Sequence, residues 1–223
     1  MFLHVQLMFG NFWKYNNIVS KNIQRYDRFV NQINCEKVWK CSQKHIIDNY
    51  RANIDCNHLE IGPGTGYFLK KQNLNIDFNN LTLVDVNSKI LHYSKNNLQS
   101  ECSNIEILSH DLFASQIPRE VEFNSVGINY VLHCVPGNLQ TKLDKLISNL
   151  GDNKYNLFGA SVICDPLHMN VIAEYELMFL NAFGIFNNNN DTYQELNEYL
   201  NNTNLNFSLK KQGYVAIFNI QVE

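Results

Sequence analysis

The chain has 223 residues, 45% hydrophobic and 17% charged, with a formal charge of −3 and a pI near 6.2. That length can bury one sizeable core, and a faintly acidic chain with scattered Lys and Arg offers no electrostatic footprint for nucleic acid. The six cysteines (35, 41, 56, 102, 134 and 164) form no CxxC pair and no Cys/His ligand spacing, so reduced thiols and no metal are expected.

The opening "MFLHVQLMFGNFW" is apolar but lacks a basic n-region and a small-residue cleavage site. It is also short of the roughly 20 apolar residues a membrane span needs. It reads as a docking segment of a cytoplasmic protein without a membrane partner. Two helical patterns follow. "SKNIQRYDRFVNQI" spaces Ile23, Tyr26, Phe29, Val30 and Ile33 on one face, and "EKVWKCSQKHIIDNY" spaces Val38, Trp39, Ile46, Ile47 and Tyr50 on another. Residues 1–54 are therefore expected to form an N-terminal helical cap, and 55–223 the core.

From Asn57 short apolar runs alternate with amphipathic stretches. "HLEI", "LTLVDV", "IEIL", "SVGINYV" and "NLFGASVIC" read as strands, with a helix over Ser88 to Leu98 between the second and third. Between the last two, Leu139, Leu143, Leu146, Ile147 and Leu150 mark a strongly amphipathic helix. The rhythm implies βαβ crossovers and a mostly parallel sheet. Toward the end come a helix over Met169 to Phe183, the "NNNN" run at 187–190, which reads as a flexible surface loop, and a capping-box start at "TYQE". "NFSLKKQGYVAIFNIQV" closes the chain as an antiparallel hairpin around Gly213.

The stretch "NHLEIGPGTGYFL" places three of the ten glycines within five positions, directly after the first strand. Such a turn lets backbone approach a ligand closely, with helix N–H groups beyond it for an anion. A dinucleotide site wants GxGxxG, but Tyr67 occupies the third glycine position, which speaks against a nicotinamide-dependent oxidoreductase. The spacing Glu60-x-Gly62-x-Gly64-x-Gly66 instead resembles motif I of the class I S-adenosylmethionine-dependent methyltransferases. Asp85, 23 residues after Gly62, "SHDLF" and "NYVLHCVPG" continue the resemblance in order. The wider run "YDRF … WKC … HLEIGPGTGYFL … SVGINYVLHCVPG … LFGASV" resembles a branch of bacterial and fungal small-molecule methyltransferases.

The resemblance implies a Rossmann-like three-layer α/β sandwich with a mostly parallel seven-stranded sheet, a C-terminal antiparallel hairpin, and S-adenosyl-L-methionine as cofactor (product S-adenosyl-L-homocysteine). It implies that Glu60 organises the glycine loop and the methionine ammonium and that Asp85, with Val86 beside it, serves the ribose. Asp111 and Leu112 then serve the adenine, while Asn129 and Tyr130 lie at the methionine end. The Asp/Asn-Pro-Pro-Tyr/Phe signature of base and amide methylation is absent, since Val131 follows Tyr130. The expected acceptor is therefore a small, fairly apolar molecule. His133, whose position points into the cleft, is the candidate base or orienter, or alternatively a buried core histidine. Tyr26, Trp39, Tyr175 and Phe179 are candidate acceptor contacts beside it. A methyltransferase-like binding module without turnover would carry the same cofactor residues.

Overall fold

The structure is a computed structural model that describes residues 27–71 and 78–223, with backbone only for 27–32. The expectations for "MFLHVQLMFGNFW" and for Tyr26 lie outside the described residues. Among those described, no helix is long and apolar enough to cross a membrane.

A π-type helix (Asp27–Val38) leads into α1 (Gln43–Asn53). There follow β1 (Asn57–Ile61), α2 (Tyr67–Lys71), β2 (Asn80–Asp85), α3 (Ser88–Leu98), β3 (Ile105–Ser109) and β4 (Ser125–Asn129). The chain continues through α4 (Leu139–Leu150), β5 (Tyr155–Val162), α5 (Val171–Ala182), α6 (Tyr193–Asn201), β6 (Asn206–Gln212) and β7 (Val215–Val222). The seven strands lie in the order β3-β2-β1-β4-β5-β7-β6. The first five are parallel, β7 runs antiparallel to β5, and β6 pairs antiparallel with β7. This is the expected Rossmann-like sandwich. The strand order reverses between β1 and β4, and a crevice opens at the carboxyl ends of strands at such a point.

Strand periodicity sorts side chains between two cores. Leu59 and Ile61 of β1 join Leu139, Leu143, Leu146 and Leu150 of α4 and Leu196 and Leu200 of α6. The stripe predicted for α4 is the one buried, and each enclosed leucine contributes about 1.5–3 kcal/mol relative to exposure. On the opposite face Ile46 and Tyr50 of α1 pack with Leu83, Leu91, Phe158, Leu177 and Leu180. Asn49 of α1 donates to the carbonyls of Gly159 and Phe218 on β5 and β7, at 3.4 and 3.3 Å. The described helices before residue 55 thus pack on the core of the sheet.

Two local expectations fail. Ile33 is exposed, while Asn34, Cys35 and Val38 turn inward. A π-type winding fits more residues into each turn than an α-helix and so rotates the 3.6-residue stripe away from the core. The "NNNN" run is no loose surface loop. The Asn187 N–H donates to the His133 carbonyl (2.7 Å), its side chain to the Cys134 carbonyl (2.9 Å), and the buried Asn188 amide to the Val162 carbonyl (2.9 Å).

The closing hairpin is also a brace. Gly213 has φ +58°, and a Cβ there would lie 2.3 Å from the Trp39 carbonyl oxygen. The next N–H, that of Tyr214, donates to that carbonyl at 2.8 Å. Gly213→Ala is expected to lose about 1–2 kcal/mol from the left-handed backbone alone. The total should be larger because the obstructing atoms are backbone. A lower urea midpoint at unchanged slope would report it; an unchanged midpoint would contradict the contact.

Candidate active site

The cleft opens where the glycine loop leaves β1. Gly62, Gly64 and Gly66 all have positive φ (63°, 56° and 76°), so the loop turns sharply and shows backbone instead of side chain. A Cβ on Gly62 would lie 2.4 Å from Val131, and one on Gly66 would lie 2.9 Å from Leu98. Ser94 and Asn97 of α3 fix the loop from outside, donating to the carbonyls of Gly64 and Thr65 at 2.5 and 2.8 Å.

Beneath the loop runs a buried hydrogen-bond chain. His58 and Glu60 point to the same face because they are two residues apart on a strand. Glu60 accepts from the Tyr50 hydroxyl at 2.6 Å through Oε1 and contacts His58 Nε2 at 3.0 Å through Oε2. His58 Nδ1 meets Ser125 Oγ at 2.8 Å, which itself accepts from the Asp55 N–H at 2.8 Å. With the imidazole proton on Nε2, every link has one donor and one acceptor. Gly127, paired with Glu60 across β1 and β4, makes the space, since a Cβ there would lie 2.3 Å from Glu60 Oε2. Neither His58 nor Ser125 belongs to the motifs that mark the site in sequence, although the His-x-Glu alternation on a buried strand is a signal for such a pair.

Asp85 ends β2 at 7% exposure, with Oδ1 accepting from the Asn87 N–H at 2.8 Å. Burial pushes its carboxyl up to about 6, against the pull of the Asn87 and Val86 N–H groups. Asn129 ends β4, its buried amide near the Tyr50 hydroxyl but with neither nitrogen nor oxygen in hydrogen-bond geometry to a described group. A buried amide left this way costs stability unless a ligand pairs with it. Tyr130 follows with φ +59°, a conformation rare for a bulky residue and concentrated at functional sites. Its ring stacks on Phe68 at 6.0 Å, and its hydroxyl faces the thiols of Cys35 and Cys41, which burial raises to about 12 and 11.

At the far end stand His133, Trp39 and Phe186. His133 is buried against Phe186 (ring centroids 4.1 Å apart), and its Nδ1 accepts the Val162 N–H at 3.2 Å. The ring proton therefore resides on Nε2. Burial, with the nearby Lys142 charge, lowers its pKa to about 3. A neutral imidazole whose Nε2 already bears hydrogen donates and does not abstract, so of the two functional roles expected for His133 only the orienting one suits this geometry.

The structure thus brings Trp39, Glu60, the three glycines, Asp85, Asn129, Tyr130 and His133 to one cleft. The other described residues of the predicted set are not among those that line this part of the cleft. Val86 is exposed, and Asp111 is exposed with Oδ1 accepting from the Phe113 N–H (2.9 Å). The Leu112 side chain is buried in the α4 core. Tyr175 is 68% exposed and lines no part of the cleft, and Phe179 packs beside Phe183.

No family model matches the chain. It is similar to the demethylluteothin O-methyltransferase of Streptomyces thioluteus, 28% identical over 195 residues that cover 86% of this chain and 84% of that one. It is similar also to the methyltransferase ctvB of Aspergillus terreus, 30% identical over 177 residues, or 74% and 75% of the two chains. Among solved structures OxaC, in complex with SAH and oxaline, matches with a TM-score of 0.57 at 13% identity, a likeness of fold. The match covers 79% of this chain and 45% of that longer one.

Proposed function

Since the chain belongs to the S-adenosylmethionine-dependent methyltransferases, we propose that it methylates a small, fairly apolar acceptor by direct in-line transfer. The observation that carries the cofactor half is the placing, at the ends of the two strands that flank β1, of a buried carboxylate and an unsatisfied buried amide. Asp85 has an oxygen to offer a ribose diol, the Asn129 amide can both donate and accept at the amino-acid end, and the glycine loop admits the chain between them. The bound cofactor would supply an electrophilic methyl on a sulfonium, a good leaving group. The protein's task is then to exclude water and hold the nucleophile about 3–3.5 Å away in line. Glu60, fixed by Tyr50 and His58, holds negative charge under the loop. The ring faces of Tyr50, Phe68 and Tyr130 favour a cation nearby. Asp111 and Leu112 would serve the adenine through the loop after β3. The apolar walls at Trp39 and Phe186, together with the donor on His133, suit a small acceptor better than nucleic acid.

The test is thermal. S-adenosylmethionine and S-adenosylhomocysteine at 100 times Kd should stabilise the protein by about 2.7 kcal/mol, and NAD should leave Tm unchanged. Stabilisation by NAD alone would reverse the assignment.

The Asp85 carboxyl gives binding a pH signature. Its native value of about 6 lies above the ordinary 3.8, so the ligand-free protein holds the proton more tightly than the unfolded chain. This contribution to stability is full below pH 3.8 and is lost as pH rises through 6. Cofactor affinity runs the other way, because the diol needs the ionised acceptor. Affinity should fall about tenfold per pH unit below 6, with a proton released on binding, and calorimetry in buffers of different ionisation enthalpy would show it. Affinity flat from pH 7 to 5 would exclude Asp85 as the acceptor.

A further inference from the structure

Besides Glu60 and Asp85, the cleft holds a third carboxylate. Glu176 lies on α5, next to the exposed Tyr175 but on the helix's inner side, and lines the acceptor end beside Trp39, His133, Leu180 and Phe186. Its Oε1 accepts from the Asn34 amide at 3.0 Å, tying α5 to the first helix. No described protein group hydrogen-bonds Oε2. The other two carboxylates of the cleft are committed, Glu60 to Tyr50 and His58 and Asp85 to the other end. Among the described residues, no lysine or arginine lines the cleft.

We infer that Glu176 recognises the methyl acceptor and receives its proton, which makes the preferred acceptor a neutral, flat molecule with an O–H or N–H donor and excludes carboxylates. The inference rests on the methyltransferase reading. An acceptor hydroxyl donates to Oε2, while the apolar walls hold its ring and His133 Nε2–H meets a second acceptor atom. As transfer proceeds, the O–H bond breaks and its proton goes to Glu176. The oxygen lone pair forms the new O–CH3 bond, and the S–CH3 bond breaks with its electrons passing to sulfur. Glu176 returns the proton to water after product leaves. Burial raises this carboxyl above its ordinary value, opposed by the Asn34 amide, so it is a stronger base than a solvated glutamate. An acceptor carboxylate would meet like charge with no described cation to offset it.

The test compares 2-naphthol with 2-naphthoate, equal in ring and opposite in charge state, by calorimetry on protein saturated with S-adenosylhomocysteine at pH 7.5. Wild type should bind the naphthol at least tenfold more tightly. Glu176→Gln should bring the two affinities to within about threefold, leave S-adenosylhomocysteine affinity unchanged, and slow single-turnover methylation of 2-naphthol on the order of 10²-fold or more. Asn34→Ala breaks the tie but keeps the carboxylate, so it should retain the discrimination; a merely structural Glu176 would make the two variants alike. Equal binding of the two compounds, binding of neither, or an unchanged ratio and rate in Glu176→Gln overturns the inference. Failure of the methyltransferase reading would appear separately, as wild-type protein that S-adenosylhomocysteine does not stabilise.

Discussion

Asp85→Ala is expected to weaken S-adenosylmethionine binding by about 3–6 kcal/mol, since two charge-assisted hydrogen bonds of roughly 1.5–3 kcal/mol each are removed. That is a loss of roughly two to four orders of magnitude in affinity. The fold should persist, because Asp85 holds only the Asn87 and Val86 N–H groups at a strand end and its burial as a charge is itself unfavourable. Asp85→Asn separates the terms. The amide keeps shape and one acceptor oxygen but loses the charge, so it should fall between wild type and alanine. Titration calorimetry, with circular dichroism to confirm folding, reads both. A folded Asp85→Ala protein with wild-type affinity would remove the ribose assignment.

Lys142→Met should cost about 3–5 kcal/mol of folding stability. The Lys142 side chain is fully buried, with Nζ 2.5 Å from Asp191 Oδ2 and 2.9 Å from the Asn187 carbonyl. Methionine fills most of the volume but strands the carboxylate. Burial already lifts Asp191 to about 6 despite the opposing Lys142 charge, and without the lysine its carboxyl should rise further. The penalty should therefore shrink on moving from pH 8 to pH 5, where the stranded group takes a proton. Lys142→Met combined with Asp191→Leu should recover much of the loss, since a well-packed apolar pair often matches a buried ion pair. Chemical denaturation of the two variants at both pH values decides it. A loss under 1 kcal/mol in the single variant would mean that solvent reaches the pair.

What the sequence disclosed was whatever depends on chain order and period. The glycine spacing, the acid closing the second strand and the leucine stripe of α4 all follow from neighbours along the chain, and these fixed the sheet and half the cleft. Lys142 sits inside that stripe, three residues after Leu139, and a cation there already implies a buried anion. Which anion depended on a long-range contact with Asp191 that no local pattern contains. Glu176 stands between the aromatic Tyr175 and Phe179, which sequence pattern alone favours as acceptor contacts. Yet Ala173, Leu177 and Leu180 mark the inward side of α5, and an acid at 176 interrupts that side at helical spacing. The asparagine run misled because composition cannot count hydrogen bonds to carbonyls brought from other elements.

The Asn34–Glu176 bond joins segments separated by 142 positions, and between them lies nearly all of the cofactor-binding chain. If Glu176 reads the acceptor as proposed, acceptor preference is written in two distant places that must agree, whereas the donor half is written contiguously. A chimera that imports α5 from a relative without the first helix would inherit a mismatched mouth on an intact donor site. It would bind cofactor normally and lose its grip on substrate. Grafting the two outer segments together is the exchange that should move substrate preference from one relative to another.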